Sequence, residues 1–184
     1  MDHNKFISQN IKEFTEILLK ASLQIKKLNS ISNIILSLKK NNLIHIFGNG
    51  GSASIASHFS MDLTNNSNIK CLNYNDPGII TCYANDFGFE NWISRAISKY
   101  GNKDDILILI SSSGVSKNMI NGLKSAKKKK FSKIITFTGF NKKNYLSKNS
   151  DINFWIESKK YNLIENAHQL YLLTIVDLIK SKSK

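Results

Sequence analysis

The stretch ILILISSSGVS, residues 106–116, decides the fold because it joins a buried strand to the start of a helix. Five consecutive aliphatic residues, 106–110, are typical of a parallel strand that is covered on both faces. The serines and Gly114 then turn the chain into a helical pattern over 116–129. The first backbone N–H groups of such a helix have no partner within it, and together with the helix dipole they favour binding of an anion such as phosphate.

A second turn of the same kind lies earlier in the chain, in IHIFGNGGSAS, residues 44–54. Neither turn is followed by Gly-Lys-Ser/Thr, so the Walker nucleotide-binding pattern is absent. The spacing Gly48-x-Gly50-x-x-Ala53 approximates the dinucleotide fingerprint, but no acidic residue ends the next strand. The two turns together favour a phosphate on a small polar molecule, although each alone also fits a tight turn or a capped helix start.

Strand and helix patterns alternate along the rest of the chain, which predicts an α/β fold: a three-layer sandwich around a central parallel sheet. Apolar residues at helical spacing in residues 5–40 predict two helices before the sheet. No linker divides the chain, so we expect a single domain over 1–184 with an N-terminal helical segment, 1–40. The predicted strands are 43–47, 69–73, 106–110, 133–138 and 152–156, and the predicted helices are 52–64, 77–83, 89–100, 116–129 and 161–180.

His58 and Asp62 lie one turn apart on the same face of the predicted helix 52–64. A histidine and a carboxylate at this spacing can supply two metal ligands, or an acid/base with its orienting partner. The same pair also fits a salt bridge on a half-exposed helix. The spacing alone leaves these alternatives open.

Several spaced motifs from about Leu43 to the C-terminus resemble the sugar isomerase (SIS) domain family, and within it the phosphoheptose isomerases. The resemblance implies a flavodoxin-like, doubly wound sheet. It also implies interconversion of D-sedoheptulose 7-phosphate and D-glycero-D-manno-heptose 7-phosphate for surface polysaccharide synthesis. The alternatives are a non-catalytic SIS protein that binds a sugar phosphate, or one that associates with a replication-initiator partner. The motifs are GNGGS (48–52), HF-x-x-DL (58–63), ANDFGF (84–89), SSSG-x-S-x-N (111–118) and IITFTG (134–139).

The resemblance assigns chemistry to two helices. In the family, the positions of His58 and Asp62 hold a histidine and a glutamate that contact zinc, and the glutamate acts in proton transfer. Glu165 stands where the family has a glutamine, and Leu173 where it has a second catalytic, zinc-binding histidine. We therefore expect zinc, if bound, at His58, Asp62 and Glu165, and catalysis by Asp62, Glu165 and His168. His168 equally suits a hydrogen-bonded structural role.

The serines of the second loop are expected to hold the phosphate, while Asn49, Asn85 and Asp86 contact sugar hydroxyls. The predicted substrate-binding residues are Asn49, Gly50, Gly51, Ser52, Asn85, Asp86, Ser111, Ser112, Ser113 and Ser116.

The chain carries 26 basic and 13 acidic residues, for a net charge of +13, which raises the question of nucleic-acid binding. The lysines are spread along the chain and Arg95 is the single arginine. The run Lys127–Lys130 ends a predicted helix, where cations complement the dipole. Nucleic acid is therefore not the expected partner.

Two further expectations concern location and assembly. No apolar stretch is long enough to span a bilayer and the N-terminus resembles no targeting peptide, which predicts a cytoplasmic protein that does not bind membranes. The helices in 5–40 and 161–180 are apolar over more than one face, which predicts a homo-oligomer. The family resemblance implies a tetramer with its sites at subunit interfaces.

Overall fold

The apolar runs of the sequence pair side by side as five parallel strands in the order β2-β1-β3-β4-β5. This is the strand order of flavodoxin-like, doubly wound sheets, and it confirms the predicted α/β class. The structure is a computed structural model and describes residues 2–182. The strands are β1 (Ile44–Gly48), β2 (Cys71–Leu72), β3 (Ile106–Ser111), β4 (Lys133–Thr138) and β5 (Ile152–Trp155).

Side chains alternate across the sheet and divide the interior into two cores. Ile46 belongs to a core with residues of α1, α2, α3 and α8, whereas Phe47 belongs to a core with residues of α5, α6 and α7. All six residues of β3 are buried, as expected for a central parallel strand. The helices are α1 (His3–Ser22), α2 (Ile25–Leu36), α3 (Gly51–Asn66), α4 (Pro77–Phe87), α5 (Trp92–Tyr100), α6 (Lys117–Lys128), α7 (Tyr145–Asn149) and α8 (Tyr161–Lys182). Within residues 2–182, none of them combines the length and the hydrophobicity needed to cross a bilayer.

Strand β2 is shorter than the predicted strand 69–73. It lies at the sheet edge, and only Cys71 and Leu72 pair with β1. Thr64 of α3 occupies the outer side of this edge strand. Cys71 N–H donates to Thr64 Oγ1 at 3.1 Å, and that hydroxyl donates to the Cys71 carbonyl oxygen at 3.2 Å. A side chain therefore pairs the backbone groups that no neighbouring strand meets.

The predicted helix 77–83 extends to Phe87, and the predicted helix 89–100 begins with a short 3-10 turn, Phe89–Asn91. Gly88 separates them with φ of +83°, a conformation that L side chains rarely adopt. Helix α7 was not predicted, because its five residues are too few to show a period. The Asn144 side chain begins it by accepting a hydrogen bond from Ser147 N–H at 2.9 Å.

A buried polar network joins the start of β1 to the start of β3. His45 and Asp105 are fully buried, and His45 Nε2 lies 2.9 Å from Asp105 Oδ2. His45 Nδ1 lies 2.9 Å from the Tyr74 hydroxyl. Burial lowers the pKa of His45 and outweighs the opposing effect of Asp105. The neutral imidazole therefore donates from Nε2 to Asp105 and accepts the Tyr74 O–H at Nδ1.

The Asp105 carboxylate accepts further hydrogen bonds from the Asn42 side chain and from the backbone N–H groups of Leu43 and Asn102. Burial is the largest single effect on its pKa and would raise it, but the hydrogen bonds together hold the pKa below its usual value. Because the pKa is lower in the folded chain than in the unfolded one, ionised Asp105 stabilises the fold above about pH 4. That contribution is lost as the pH falls through the folded pKa.

We expect Asp105→Asn to lower the free energy of unfolding by about 2–4 kcal/mol near neutral pH, because several buried donors lose a charged acceptor. The gap between variant and wild type should narrow as the pH falls below about 4, because the carboxylate of the unfolded wild type takes up a proton there and that of the folded protein does so at lower pH. Urea denaturation of both proteins, near neutral pH and below pH 4, measures this difference. Asp104→Asn, at a partly exposed neighbour, is the control; equal losses in both variants would contradict this account.

Candidate functional site

The two glycine- and serine-rich loops meet at the point where the strand order reverses. The last residue of β1, Gly48, pairs with Ile110 near the end of β3. From these neighbouring strand ends the chain enters α3 on one side and α6 on the other, so the amino ends of both helices lie at the same edge of the sheet. Ligands of open parallel sheets bind at this kind of switch point.

A reciprocal pair of side-chain amides ties the two loops together. Asn49 Nδ2 donates to Asn118 Oδ1 at 3.1 Å, and Asn118 Nδ2 donates to Asn49 Oδ1 at 2.8 Å. Asn118 is buried, and its Oδ1 also accepts the Met119 N–H. Asn49 was predicted to contact the ligand, whereas Asn118 was not, although the motif SSSG-x-S-x-N (111–118) ends on Asn118.

The first loop approaches α3 closely because it lacks side chains. A Cβ at Gly48 would overlap the backbone of Ser52, and one at Gly51 would overlap the Glu165 carboxylate. Gly50 adopts φ of +55° at the start of α3. Three glycines thus place the amino end of α3 directly against β1 and against the start of α8.

The second loop holds hydroxyl groups that the fold does not use. Ser111 and Ser112 are buried, and Ser112 Oγ makes no hydrogen bond to residues 2–182. An unpaired buried hydroxyl costs about 1–3 kcal/mol, so this one requires an explanation. Ser116 is the N-cap of α6, yet its side chain makes no capping hydrogen bond. Ser113 Oγ accepts only a long bond, 3.4 Å, from Val115 N–H.

On α3, the predicted His58 and Asp62 pair is formed. His58 Nε2 lies 3.2 Å from Asp62 Oδ2, with 41% and 32% of the two side chains exposed, so a ligand has access to both. The other ring nitrogen, His58 Nδ1, lies 3.4 Å from Gln169 Nε2 on α8. Gln169 was not predicted. It lies one turn after Glu165 on the same face of α8, and this spacing could have indicated that it belongs to the site.

Glu165 reaches α3 from α8, and its carboxylate lies against Gly51. Burial raises the pKa of Glu165, and the nearby Ser52 hydroxyl opposes this only in part. A carboxyl group with a raised pKa beside an anion-binding loop is suited to transferring a proton near neutral pH.

His168 lies in the interior and has no exposed surface. Its Nε2 is 3.2 Å from the Thr138 carbonyl oxygen, and its ring packs edge-on against Phe137. Burial lowers the pKa of His168 to about 4. The imidazole is therefore neutral near pH 7 and surrounded by the core, an environment that suits the structural alternative.

Asn85 and Asp86 lie at the exposed end of α4, where Asn85 Nδ2 donates to Asp86 Oδ1 at 3.0 Å. Among residues 2–182, no hydrogen bond joins either residue to the two loops. Their contact with sugar hydroxyls therefore stays a prediction.

The three residues expected to bind zinc do not form one cluster. His58 pairs with Asp62, whereas the Glu165 carboxylate lies against Gly51. Across the part of the chain that the structure describes, no three His, Cys, Asp or Glu side chains are close enough to hold a metal ion. Leu173 offers no donor at the position of the family's second histidine. This arrangement of donors does not fit a zinc ion.

Comparison with known proteins agrees with the fold and with the loops. Residues 6–139 match the model of the SIS domain family. The phosphoheptose isomerase of Cytophaga hutchinsonii is 38% identical over 70% of this chain and 72% of that protein. The phosphoheptose isomerase of Buchnera aphidicola from Schizaphis graminum is 33% identical over 99% of this chain and 98% of its own length.

The structure of phosphoheptose isomerase from Neisseria gonorrhoeae shares the fold, with a TM-score of 0.90, 24% identity, and coverage of 97% of this chain and 98% of that one. The family model covers both strand-to-helix loops that form the switch point, and the Buchnera relative covers nearly the whole chain. The chain therefore belongs to the SIS domain family and, within it, to the phosphoheptose isomerases.

Proposed function

We propose that this protein is an aldose–ketose isomerase that interconverts D-sedoheptulose 7-phosphate and D-glycero-D-manno-heptose 7-phosphate. The observation that carries the proposal is the buried Ser112 hydroxyl, which has no hydrogen-bond partner among residues 2–182 and belongs to a loop that the Asn49–Asn118 pair joins to the first loop. Cytoplasmic location and a role in surface polysaccharide synthesis belong to the same proposal. Family membership and the names of the relatives support it.

The substrate phosphate is assigned to the second loop. Within residues 2–182, the Ser112 hydroxyl has no hydrogen-bond partner and the Ser116 side chain makes no capping bond, and the amino end of α6 supplies partial positive charge. Hydroxyl donors and backbone N–H groups bind a phosphate without adding a positively charged side chain. The phosphate then anchors the sugar, and its binding energy orients the reacting carbons.

The proton transfer is assigned to Asp62 and Glu165. Asp62 takes the C1 proton of the ketose while Glu165 donates a proton to the O2 carbonyl oxygen, which gives the enediol. Asp62 then returns its proton to C2, and the O1 hydroxyl proton passes back to Glu165, which gives the aldose. His58 holds Asp62 from one side, and Gln169 holds His58 from the other. The raised pKa of Glu165 favours the protonated form that this donation requires.

A second candidate function is binding of a sugar phosphate without turnover. Leu173 favours it, because leucine can neither donate a proton nor bind a metal where the family has a histidine. An assay for aldose formation from sedoheptulose 7-phosphate separates the two candidates. The assay is run with and without added zinc, because the resembled family uses the metal whereas the donors of this chain do not fit it. Turnover supports the isomerase; binding without turnover supports the second candidate.

We also propose that the protein assembles as a homotetramer through its N-terminal helix. Large apolar side chains on α1 are exposed in the single chain, and a groove of about 510 Å³ separates α1 from the start of α8. Exposed apolar surface of this kind marks protein interfaces. The exposed residues on or beside α1 are Phe6, Ile7, Ile11, Leu19 and Leu23.

Ser112→Ala should weaken binding of sedoheptulose 7-phosphate by roughly tenfold, from the loss of about 1–2 kcal/mol of hydrogen bonding to a charged group. The same change should leave the free energy of unfolding of the ligand-free protein unchanged or slightly higher, because it removes an unpaired buried hydroxyl. Calorimetry and urea denaturation measure the two effects. Ser125→Ala, whose hydroxyl bonds to the Ser94 carbonyl outside the loops, is the control. Unchanged affinity in Ser112→Ala would refute this phosphate site.

Asp62→Asn should reduce isomerase turnover by roughly 10²–10⁴-fold, because an amide cannot accept the C1 proton. Substrate affinity should change little, since the serine loop is untouched. The exposed Asp177→Asn on α8 is the matched control and should retain wild-type turnover. Wild-type turnover in Asp62→Asn would show that the chemistry lies on other residues.

Light scattering at micromolar concentration should give the mass of a tetramer. Ile7→Glu combined with Ile11→Glu should dissociate it, because two charges would be buried at the proposed interface. Lys5→Glu combined with Lys12→Glu changes other positions of the same helix and should leave the mass unchanged. A monodisperse wild-type monomer contradicts the proposed assembly.

A further inference from the structure

A cavity of about 630 Å³ runs along the outer edge of β5, which is the last strand of the sheet. It is an open groove bordered by α2, α7 and the segment 142–143 that precedes α7. None of its lining residues belongs to the two loops or to the proton-transfer groups. The cavity therefore needs an explanation of its own.

The walls of this β5-edge cavity are strongly basic. Five of its eleven lining residues are lysines, whereas the whole chain has 26 basic residues in 184, so composition alone does not account for the density. Within residues 2–182, none of the five has a carboxylate within 4.0 Å. The five are Lys26, Lys27, Lys142, Lys143 and Lys148.

The single carboxylate in the lining does not neutralise them. Asp151 accepts the Ile134 N–H at 2.7 Å through Oδ2, and its Oδ1 lies 4.0 Å from Lys133, which is outside the cavity. The Asp151 carboxylate thus interacts with the amino end of β4 rather than with the lysines of the cavity. The cavity retains a large excess of positive charge.

Lys27 is held at the edge of the cavity and is affected by the charge of Lys142. Lys27 Nζ donates to the Asn153 carbonyl oxygen and to Gln24 Oε1, each at 3.0 Å. Burial lowers the pKa of Lys27, and the charge of Lys142 lowers it further. Like charges along one groove repel each other, and a bound anion would offset their repulsion.

An aromatic wall completes the cavity. The Trp155 ring lies 5.4 Å from Lys142 Nζ, and the indole Nε1 is buried without a hydrogen-bond partner in the described chain. A buried indole N–H normally finds an acceptor. Trp155 therefore adds an unsatisfied donor to the excess of positive charge.

We propose that the β5-edge cavity binds a small polyphosphate anion at a site separate from the sugar phosphate loops. Five lysines exceed what one phosphate monoester needs, whereas a triphosphate carries enough negative charge to match them. Lysines act as point charges toward phosphate oxygens, and the indole face accommodates a flat group beside them. The common chemistry is the polyphosphate, supplied by a nucleoside triphosphate or by inorganic tripolyphosphate.

The test titrates the full-length protein with ATP and with tripolyphosphate at about 0.15 M salt, without phosphate buffer, so that weak surface charge effects are screened. Calorimetry should show saturable binding of one anion per chain, accompanied by a change in tryptophan fluorescence. Trp155→Phe should abolish the fluorescence change, because the other tryptophan, Trp92, lies in the core on α5. Tighter binding of ATP identifies a nucleotide site, and equal affinities identify a site for the inorganic chain.

Lys27→Gln combined with Lys142→Gln should weaken binding by roughly tenfold or more, since two ammonium contacts are lost. Lys143→Gln combined with Lys148→Gln, both exposed, repeats the test without disturbing the bond of Lys27 to β5. Lys127→Gln combined with Lys128→Gln makes the same charge change on α6 and should leave the affinity unchanged. Sugar phosphate binding should be equal in all three variants. Absence of saturable binding, or equal weakening in the α6 control, overturns the proposal.

Discussion

The parallel pairing of β1 with β3 is the constraint on which the rest of the structure depends. These strands are neighbours although β2 lies between them in sequence, so their loops end side by side while the chain leaves toward opposite faces of the sheet. The Asn49–Asn118 pair then joins the loops, and α3 and α6 direct their amino ends to one place. At the other end of the same strands, the buried His45–Asp105 bond fixes their starts.

Much of the fold was predictable because buried parallel strands are short and mainly apolar, and the sequence has five such segments between helical patterns. The exceptions share a physical cause. The Thr64 side chain of another element holds the outer edge of β2, and α7 depends on one capping residue, Asn144. Local periodicity contains neither interaction.

The candidate site divides in the same way. Features that depend on nearby sequence were predictable: the two loops from their composition, and the His58–Asp62 pair from its spacing on one helix. The contact of Gln169 with His58 joins residues 111 positions apart, and only the packing of α3 against α8 creates it. The burial of His168 was equally hidden, because its sequence neighbours leave open which side of α8 meets the core. The sequence alone showed that Leu173 replaces the family's second histidine, but whether catalysis survives this replacement depends on which other residues can transfer a proton.

The central claim is that the second loop holds the phosphate of the substrate and thereby places the reacting carbons of the sugar next to Asp62 and Glu165. The most direct measurement is a crystal structure of the Asp62→Asn variant with sedoheptulose 7-phosphate. Our account predicts the phosphate within hydrogen-bonding distance of Ser112 Oγ, with the sugar extending toward residue 62. A phosphate bound elsewhere, with the Ser112 hydroxyl still unpaired, would contradict it.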